Sequence, residues 1–443
     1  MLEDYKETLR LGIPLAIGQI GVIVMGFADT MMVGRYSTDS LAAASFVNSV
    51  FNLITFLLMG YSYGLTPVVS ALFGQGKKRE TGFVLRHALV CNVSFALFLM
   101  ALLGVGYFFL DRMGQPEEIL PLVRPYYLTI LVSMLFLAGF NALRQFTDGI
   151  TDTSVGMWTL LSGNALNIVG NYFLIYGIGP FPELGLLGAG LSTAFSRFAM
   201  FAILLAVILV RRRYAPFRLG FLQRVISLKE LRRINALSLP VGLQMGMESA
   251  SFTMSGIMAG WLSTLDLASY QVMITLSTLG FMLYYSFGSS MSIRIAVFFG
   301  RKNWPRVRQA ARAGRRVLLA MVCFSSSLFY FFGEPLLRLF SDDAAVLALA
   351  ITLIPALLLY QVGDAMQICF SNALRGTGHV KSVMWIAFVS YVLVNIPVGY
   401  LLAFPLGLGS KGLFLAFSVG LFTAATLFGL RFRSVLRRSA SAA

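Results

Sequence analysis

The apolar residues of this chain form long runs that recur along its whole length, without the short alternation of polar and apolar positions typical of a water-soluble domain. A helix of about 20 apolar residues crosses a hydrocarbon core of roughly 30 Å. The pattern predicts an all-α protein with twelve membrane-spanning helices. The predicted spans are 11–33, 41–73, 84–110, 123–146, 155–176, 186–210, 234–262, 267–299, 314–332, 344–374, 383–404 and 413–430.

The composition agrees with a chain that lies mostly in lipid. Hydrophobic residues make up 57% of the sequence and charged residues 12%, whereas a soluble domain of this length needs far more polar surface. The first ten residues are rich in charge and lack the short apolar run and cleavage site of a secretory signal. The sequence therefore predicts an integral membrane protein without a cleaved leader.

The formal net charge of +16 is carried largely by the connections between spans. Basic residues concentrate at 77–79, 211–233, 301–316 and 431–438. Because Lys and Arg accumulate in cytoplasmic loops, this pattern predicts that both termini are cytoplasmic. These bases flank apolar segments and are not interleaved with aromatic residues in a soluble module, which argues against nucleic-acid binding.

The two halves of the chain resemble each other. LGIPLAIGQIG at 11–21 matches LSLPVGLQMGM at 237–247, and ALRQFTDGITDTSVGMW at 142–158 matches ALRGTGHVKSVMW at 373–385. The offset stays between 226 and 231 residues, so six spans map onto six in the same orientation, as in transporters built from parallel repeats. The predicted domains are an N-terminal lobe at 1–210, a basic cytoplasmic linker at 211–233, a C-terminal lobe at 234–430 and a basic cytoplasmic tail at 431–443.

Three carboxylates lie inside predicted spans: Asp29, Glu248 and Asp364. A charge at the centre of a bilayer costs about 2.5–3.5 kcal/mol on insertion scales, so function is the first explanation for each. The seventh and tenth predicted spans contain no Lys or Arg. Glu248 and Asp364 are therefore predicted to form a cation or proton site, whereas Asp29 belongs either to such a site or to the outer interface.

Two of the arginines inside predicted spans, Arg197 and Arg294, carry specific expectations. Arg197, in the sixth span, is expected to face the protein interior or to be paired, and it would most naturally serve a carboxylate of the first half. Arg294 lies near the inner end of the eighth span, where a long side chain is expected to snorkel to the interface.

Polar residues follow single faces of several predicted helices, because positions i, i+4, i+7 and i+11 lie along one stripe. The stripes are Gln244, Glu248, Ser251 and Ser255; Tyr360, Asp364, Gln367 and Ser371; Asn164, Asn167 and Asn171; Asn48, Asn52 and Thr55; and Gln271, Thr275, Thr278 and Tyr285. Lipid offers these groups no hydrogen bonds, so the stripes must face other helices or water. Two interpretations stay open: hydrogen bonds that hold helices together, and the lining of a substrate path.

Enzyme chemistry is not indicated. The chain has two histidines, His87 and His379, with no HExxH or GxSxG pattern. Its three cysteines lie within spans without metal-ligand spacing. No cofactor is expected.

Several motifs, in order and spacing, resemble the multidrug and toxic compound extrusion (MATE) transporters, and among them the NorM-like bacterial branch. These motifs are ADTMMVGR at 28–35, ALRQFTDG at 142–149, LNIVGNYFLIYG at 166–177, PELGLLGAG at 182–190, SIR at 292–294, and YQVGDAMQ with ALRG at 360–376. The resemblance implies two six-helix lobes around a central cleft. It also implies the exchange of Na+ or H+ for an exported drug, without any other cofactor.

The resemblance also implies roles for particular residues. A cation site in the C-terminal lobe of this branch corresponds to Glu248, Tyr360 and Asp364, of which Glu248 and Asp364 would be the carboxylate ligands of Na+. In the N-terminal lobe, the coupling Asp corresponds to Asp29. The residues expected to line the substrate cleft are Asn48, Asn164, Asn167, Asn171, Gln244, Gln271, Tyr285 and Gln367. The fifth span has no carboxylate, which argues against a purely N-lobe proton mechanism.

The expected substrates are amphipathic, mainly cationic compounds, and the expected location is the bacterial inner membrane, where the protein would act as a monomer. The 38 Phe and 20 Met would supply an adaptable apolar wall for such compounds. A lipid-linked oligosaccharide flippase of the same broad superfamily is the alternative, although a phosphate-bearing substrate favours a more basic cavity. A membrane-embedded enzyme is the alternative from another class.

Overall fold

Helices form the regular structure of this protein throughout the described residues. The computed structural model describes residues 2–223, 225–341 and 343–440, and within these ranges there is no β-strand. The helices are α1 Leu2–Tyr36, α2 Thr38–Tyr63, α3 Leu65–Gly74, α4 Lys78–Tyr107, α5 Leu120–Gly149, α6 Thr153–Tyr176, α7 Gly185–Val210, α8 Ala215–Phe221, α9 Leu228–Leu262, α10 Thr264–Gly300, α11 Trp304–Arg338, α12 Ala344–Gly376, α13 Val380–Ala387, α14 Ile396–Ala403 and α15 Gly409–Ala440. Arg224 of the predicted linker and residues 441–443 of the predicted tail lie outside the described residues.

Each of the twelve predicted spans coincides with one helix or with consecutive helices. Ten helical segments of the described chain are long and apolar enough to cross a membrane. The other two predicted spans correspond to α6 and α9, which are long enough but less apolar. These helices carry the asparagine stripe and the Glu248 stripe. Polar residues that face protein lower the mean hydropathy of a helix without preventing it from spanning.

Two predicted spans are interrupted for identifiable reasons. The second is divided at Gly64, where a Cβ atom would lie 2.4 Å from the Cα of Ser238, so only glycine permits this approach. The eleventh contains a π-helical stretch, Phe388–Asn395, between α13 and α14. Pro397 follows this stretch and lacks the N–H that would bond to the carbonyl of Leu393, which favours a local change of helical register.

Side chains cap the first amide groups of α2, α10, α11 and α12. Ser263 caps α10 by accepting a hydrogen bond from the amide of Asp266 at 2.9 Å. Asp343 caps α12 by accepting from the amide of Ala345 at 2.8 Å. Such caps stabilise a helix start by about 1 kcal/mol each.

The chain divides into two compact units, and the divisions fall inside α1 and α9. The first unit consists of the start of α1, as far as Ala16, together with the chain from Leu243 onward, and the second consists of Ile17–Gly242. The two divisions come just after Pro14 and Pro240, which the internal repeat places at equivalent positions. The units are called the Glu248 unit and the Asp29 unit below.

In the Asp29 unit, the start of α9 packs along α2. The hydroxyl of Tyr61 hydrogen-bonds to the side chain of Asn235. Further along α9, a Cβ atom on Gly242 would lie 3.0 Å from the carbonyl oxygen of Leu57. These contacts explain why the first turns of α9 group with the N-terminal half of the sequence.

In the Glu248 unit, the start of α1 packs along α10 in the equivalent manner. The Ser290 hydroxyl donates to the carbonyl oxygen of Thr8 at 2.7 Å. Arg294 donates from Nη2 to Oδ1 of Asp4 at 2.7 Å, and both side chains are buried. The expectation that Arg294 snorkels to the interface is therefore wrong, because this guanidinium has a buried carboxylate partner.

Candidate functional site

Two carboxylates of the Glu248 unit share one amide donor. Gln367 on α12 donates from Nε2 to Oε1 of Glu248 on α9 at 3.2 Å, and the same nitrogen lies 3.4 Å from Oδ1 of Asp364. Asp364 and Gln367 are almost fully buried, and Glu248 is partly buried. The structure therefore brings together the two carboxylates that the sequence predicted as one site.

The buried atoms around this amide are rich in hydrogen-bond acceptors. Within the described part of the chain, Oδ2 of Asp364 and Oε1 of Gln367 are buried without a hydrogen-bond partner. Groups of three or more His, Cys, Asp or Glu side chains placed to hold a metal ion are absent from the same residues. A cation bound here would take two carboxylates as ligands and complete its shell with amide, hydroxyl or water oxygens, the donor set of hard cations.

An aromatic cluster borders the carboxylates one turn away on α12. Tyr360 is buried, and its ring lies 6.4 Å from that of Phe252 and 6.1 Å from that of Phe417, both edge-to-face. Because Tyr360 and Asp364 are i, i+4 neighbours on one helix, ring and carboxylate face the same side. The predicted third member of the cation site therefore lies beside it, in an apolar wall.

Arg375 is a buried base of the same unit that the sequence did not predict as part of the site. It lies in the last turn of α12, one residue beyond the predicted tenth span, and is 4% exposed. Its guanidinium donates to Oε1 of Gln244 at 2.5 Å and to the hydroxyl of Tyr285 at 3.2 Å. It also interacts electrostatically with Glu248. The seventh and tenth predicted spans contain no Lys or Arg, so this base lay outside the predicted stripes, although extending the α12 stripe by four residues from Ser371 would have found it.

The Glu248 stripe of α9 also contacts the π-helical stretch. Ser251 donates to the carbonyl oxygen of Tyr391 at 3.2 Å and accepts from Nδ2 of Asn395 at 2.6 Å. A π-helical turn leaves carbonyl groups outside the regular ladder, so a side chain from another helix can bond to them. These bonds hold α9 in register one turn beyond Glu248.

In the Asp29 unit, a single carboxylate meets the asparagine stripe. Asn171 on α6 donates to Oδ1 of Asp29 on α1 at 2.5 Å. Its neighbour Asn167 donates to Oγ1 of Thr193 on α7 at 3.2 Å and accepts through its main-chain carbonyl from Ser192 at 2.8 Å. Asp29 is partly buried, whereas both asparagines are fully buried.

A base also lies near Asp29. Arg197 on α7 donates to the Ser133 hydroxyl at 2.6 Å and interacts electrostatically with Asp29, within the same unit. Asn164, the third residue of the stripe, is buried, and among the described residues its amide atoms have no hydrogen-bond partner.

The remaining residues predicted to line the cleft fall into two classes. Gln244 and Tyr285 are buried and hold Arg375. Asn48 on α2 and Gln271 on α10 are exposed. The prediction therefore placed the buried partners of Arg375 in one group with exposed residues. Helical periodicity alone does not distinguish the two classes.

Comparisons with known proteins identify the family of this chain. The MatE family matches residues 14–173 and 240–401. The multidrug resistance protein NorM of Photobacterium profundum is 30% identical over 434 residues, which cover 97% of this chain and 95% of that protein. The probable multidrug resistance protein NorM of Bradyrhizobium diazoefficiens is 29% identical over 443 residues, covering 99% and 95% of the two chains.

The fold is shared with a solved transporter structure. A MOP superfamily transporter from Pyrococcus furiosus superposes with a TM-score of 0.90 at 19% identity, over 99% of this chain and 97% of the other. The predicted all-helical, two-lobed transporter fold is thereby confirmed. The chain belongs to the MatE family, and it is a membrane transporter rather than an enzyme.

Proposed function

We propose that this protein is an antiporter that exports amphipathic, mainly cationic compounds from the cytoplasm in exchange for Na+ or H+. The two NorM relatives are named as multidrug resistance proteins. The basic connections support a location in the bacterial inner membrane with both termini cytoplasmic. We expect the protein to act as a monomer.

The observation that carries the proposal is the amide of Gln367 between Glu248 and Asp364. Two neighbouring carboxylates repel each other strongly away from water, so a bound cation or proton relieves an unfavourable arrangement. Arg375 contributes one positive charge to the two negative ones, which leaves one formal negative charge in excess. One monovalent cation balances it.

Coupling follows if the cation and the drug favour different access states of the transporter. A ligand shifts a conformational equilibrium only by its difference in affinity between the states. Cation binding at Glu248 and Asp364 would favour one access state, and the exported compound would favour the other, so each gradient drives the other ligand. Asp29, with its hydrogen bond from Asn171, would add a second protonatable group to this cycle.

The apolar composition suits substrates with large hydrophobic parts. The 38 Phe and 20 Met provide many adaptable side chains, some of which face lipid. Flexible Met-rich surfaces repack around unrelated ligands. The acidic and neutral polar side chains predicted for the cleft suit a positively charged compound better than a phosphate.

The experiment uses the full chain reconstituted in liposomes with ethidium as the transported cation. Na+ and H+ gradients are imposed separately, and ethidium movement against its gradient is followed by fluorescence. We expect one of the two gradients to drive transport. Glu248→Gln and Asp364→Asn should each abolish it while reconstituting to the same level.

Asp39→Asn is the matched control, because Asp39 is exposed at the start of α2. It should transport as the unmodified protein does. Normal gradient-driven export by both Glu248→Gln and Asp364→Asn would contradict the assignment of the site. No transport under either gradient would favour a lipid-linked oligosaccharide, the substrate of the flippase alternative, which a lipid-scrambling assay then tests.

A further inference from the structure

We propose that Arg375 is a tethered counter-ion that competes with Na+ for Glu248. In this view Gln244 and Tyr285 hold the guanidinium away from the carboxylate while Na+ is bound, and the guanidinium pairs with Glu248 after Na+ leaves. The inference rests on the proposed function, since it describes how the cation site is emptied.

Arg375 differs from the other buried arginines of the described chain in its partners. Arg294 is bound to Asp4 at 2.7 Å, and Arg144 lies 3.8 Å from Asp148. Among the described residues, the hydrogen-bond partners of Arg375 are both neutral, and its Nε–H has no partner. A buried guanidinium without a carboxylate partner is an unfavourable arrangement unless it has a second position.

Glu248 presents the complementary arrangement. Among the described residues, its carboxylate accepts from the neutral amide of Gln367 at 3.2 Å. Gln244, which binds Arg375, lies one turn before Glu248 on α9. A buried base and a carboxylate one helical turn from its acceptor are thus each bound to neutral groups.

Only a short path separates the two positions of the guanidinium. Gln244 and Glu248 are i, i+4 neighbours on α9, so their side chains lie roughly 5–6 Å apart on the same face. A rotamer change of the long arginine side chain covers that distance without movement of α12. The guanidinium can therefore exchange Gln244 for Glu248 while the helices stay packed.

The test measures equilibrium binding of radioactive Na+ to the purified full-length protein. Arg375→Gln removes the competitor and should tighten Na+ binding roughly tenfold. Tyr285→Phe weakens the tether, frees the guanidinium for Glu248, and should weaken Na+ binding roughly threefold. Arg375→Lys keeps the charge and should stay close to the unmodified protein.

A merely structural role predicts a different result, because loss of packing would weaken Na+ binding in Arg375→Gln and Tyr285→Phe alike. The double variant adds a second criterion: Tyr285→Phe should have no effect in the Arg375→Gln background. If Arg375→Gln is too unstable to purify, Arg375→Met, which also removes the charge but keeps more of the apolar stem, replaces it and should tighten Na+ binding in the same way. Equal weakening by every variant, or no change by any, overturns the inference.

The proposed function fails separately. If Glu248→Gln abolishes Na+ binding while Arg375→Gln leaves it unchanged, the cation site stands and only the counter-ion role is wrong. If the unmodified protein binds no Na+ yet exports ethidium under a proton gradient, the inference is overturned and proton-coupled export remains.

Discussion

Arginines at equivalent positions of the internal repeat have different interaction partners in the two units. In the Asp29 unit, Arg144 lies beside Asp148, and its Nη2 would be 3.4 Å from a Cβ atom on Gly18. The repeat aligns Gly18 with Gln244 and Arg144 with Arg375. The Asp29 unit has Gly18 and the Arg144–Asp148 ion pair at these positions. The Glu248 unit has Gln244, whose side-chain oxygen accepts from Arg375 at 2.5 Å.

This difference shows that the two copies of the internal repeat can hold different kinds of charged site. In the Asp29 unit each internal carboxylate has a base near it, since Arg144 serves Asp148 and Arg197 serves Asp29. In the Glu248 unit two carboxylates share one amide, and the nearby arginine is bound to neutral groups. Each internal carboxylate thus has a base near it in one unit, whereas the proposed function assigns a bound cation to the carboxylates of the other.

The largest difference between the two units is expected when one carboxylate is removed from each. Asp364→Asn should weaken Na+ binding by roughly 100-fold or more, because one of two adjacent charges is lost from a buried site. Asp29→Asn should leave Na+ binding within about twofold, because its charge already has a base nearby. Equilibrium binding to the purified variants measures both effects. The reverse order would place the cation in the Asp29 unit.

A second prediction concerns stability. Asp148→Asn leaves the buried guanidinium of Arg144 without its carboxylate, and breaking such a pair costs about 3–5 kcal/mol. Gln244→Leu removes a neutral acceptor from Arg375, and a hydrogen bond to a charged group is worth about 1.5–3 kcal/mol. Thermal unfolding in detergent should therefore show the larger loss for Asp148→Asn.

Equal losses for these two variants would mean that the arginines have equivalent environments despite their different partners. Asp39→Asn, at an exposed carboxylate, should leave the unfolding temperature unchanged and serves as the control for both.

The sequence predicted the helices and their polar faces well, because both follow from hydrophobic periodicity. Glu248, Asp364 and Gln367 were placed on stripes that the structure brings together. What periodicity could not predict was which atom of one stripe meets which atom of another. That Gln367 bridges the two carboxylates depends on the packing of α9 against α12.

Charged residues near the ends of spans were the main failure. The predicted tenth span stopped at the apolar Leu374, one residue before Arg375, and Arg294 was expected at the interface. Hydropathy measures transfer into lipid, whereas both guanidinium groups are transferred into protein. The partners of these two arginines come from distant parts of the chain. The local hydrophobic pattern therefore does not predict them.

The third prediction sharpens the role of the single carboxylate. Asn171→Ala removes the amide that donates to Asp29 at 2.5 Å and should lower gradient-driven export of ethidium roughly tenfold. Na+ binding should not change, because the variant lies in the other unit. A parallel loss of Na+ binding would show that Asp29 and the Glu248 site respond as one, and the two sites would have to be treated together.

The smallest effects are expected at the exposed polar residues of the two repeats. Asn48 and Gln271 lie on α2 and α10, which the repeat makes equivalent, and both side chains are exposed. An exposed amide gains little from any one ligand because water replaces it, so Asn48→Ala and Gln271→Ala should each change the KM for ethidium by no more than about threefold. Export assays across a range of ethidium concentrations measure this. A change of tenfold at Asn48 alone would mean that the repeat without the proposed cation site supplies the polar contacts to the substrate, whereas a change of tenfold at Gln271 alone would place those contacts in the same repeat as the cation site.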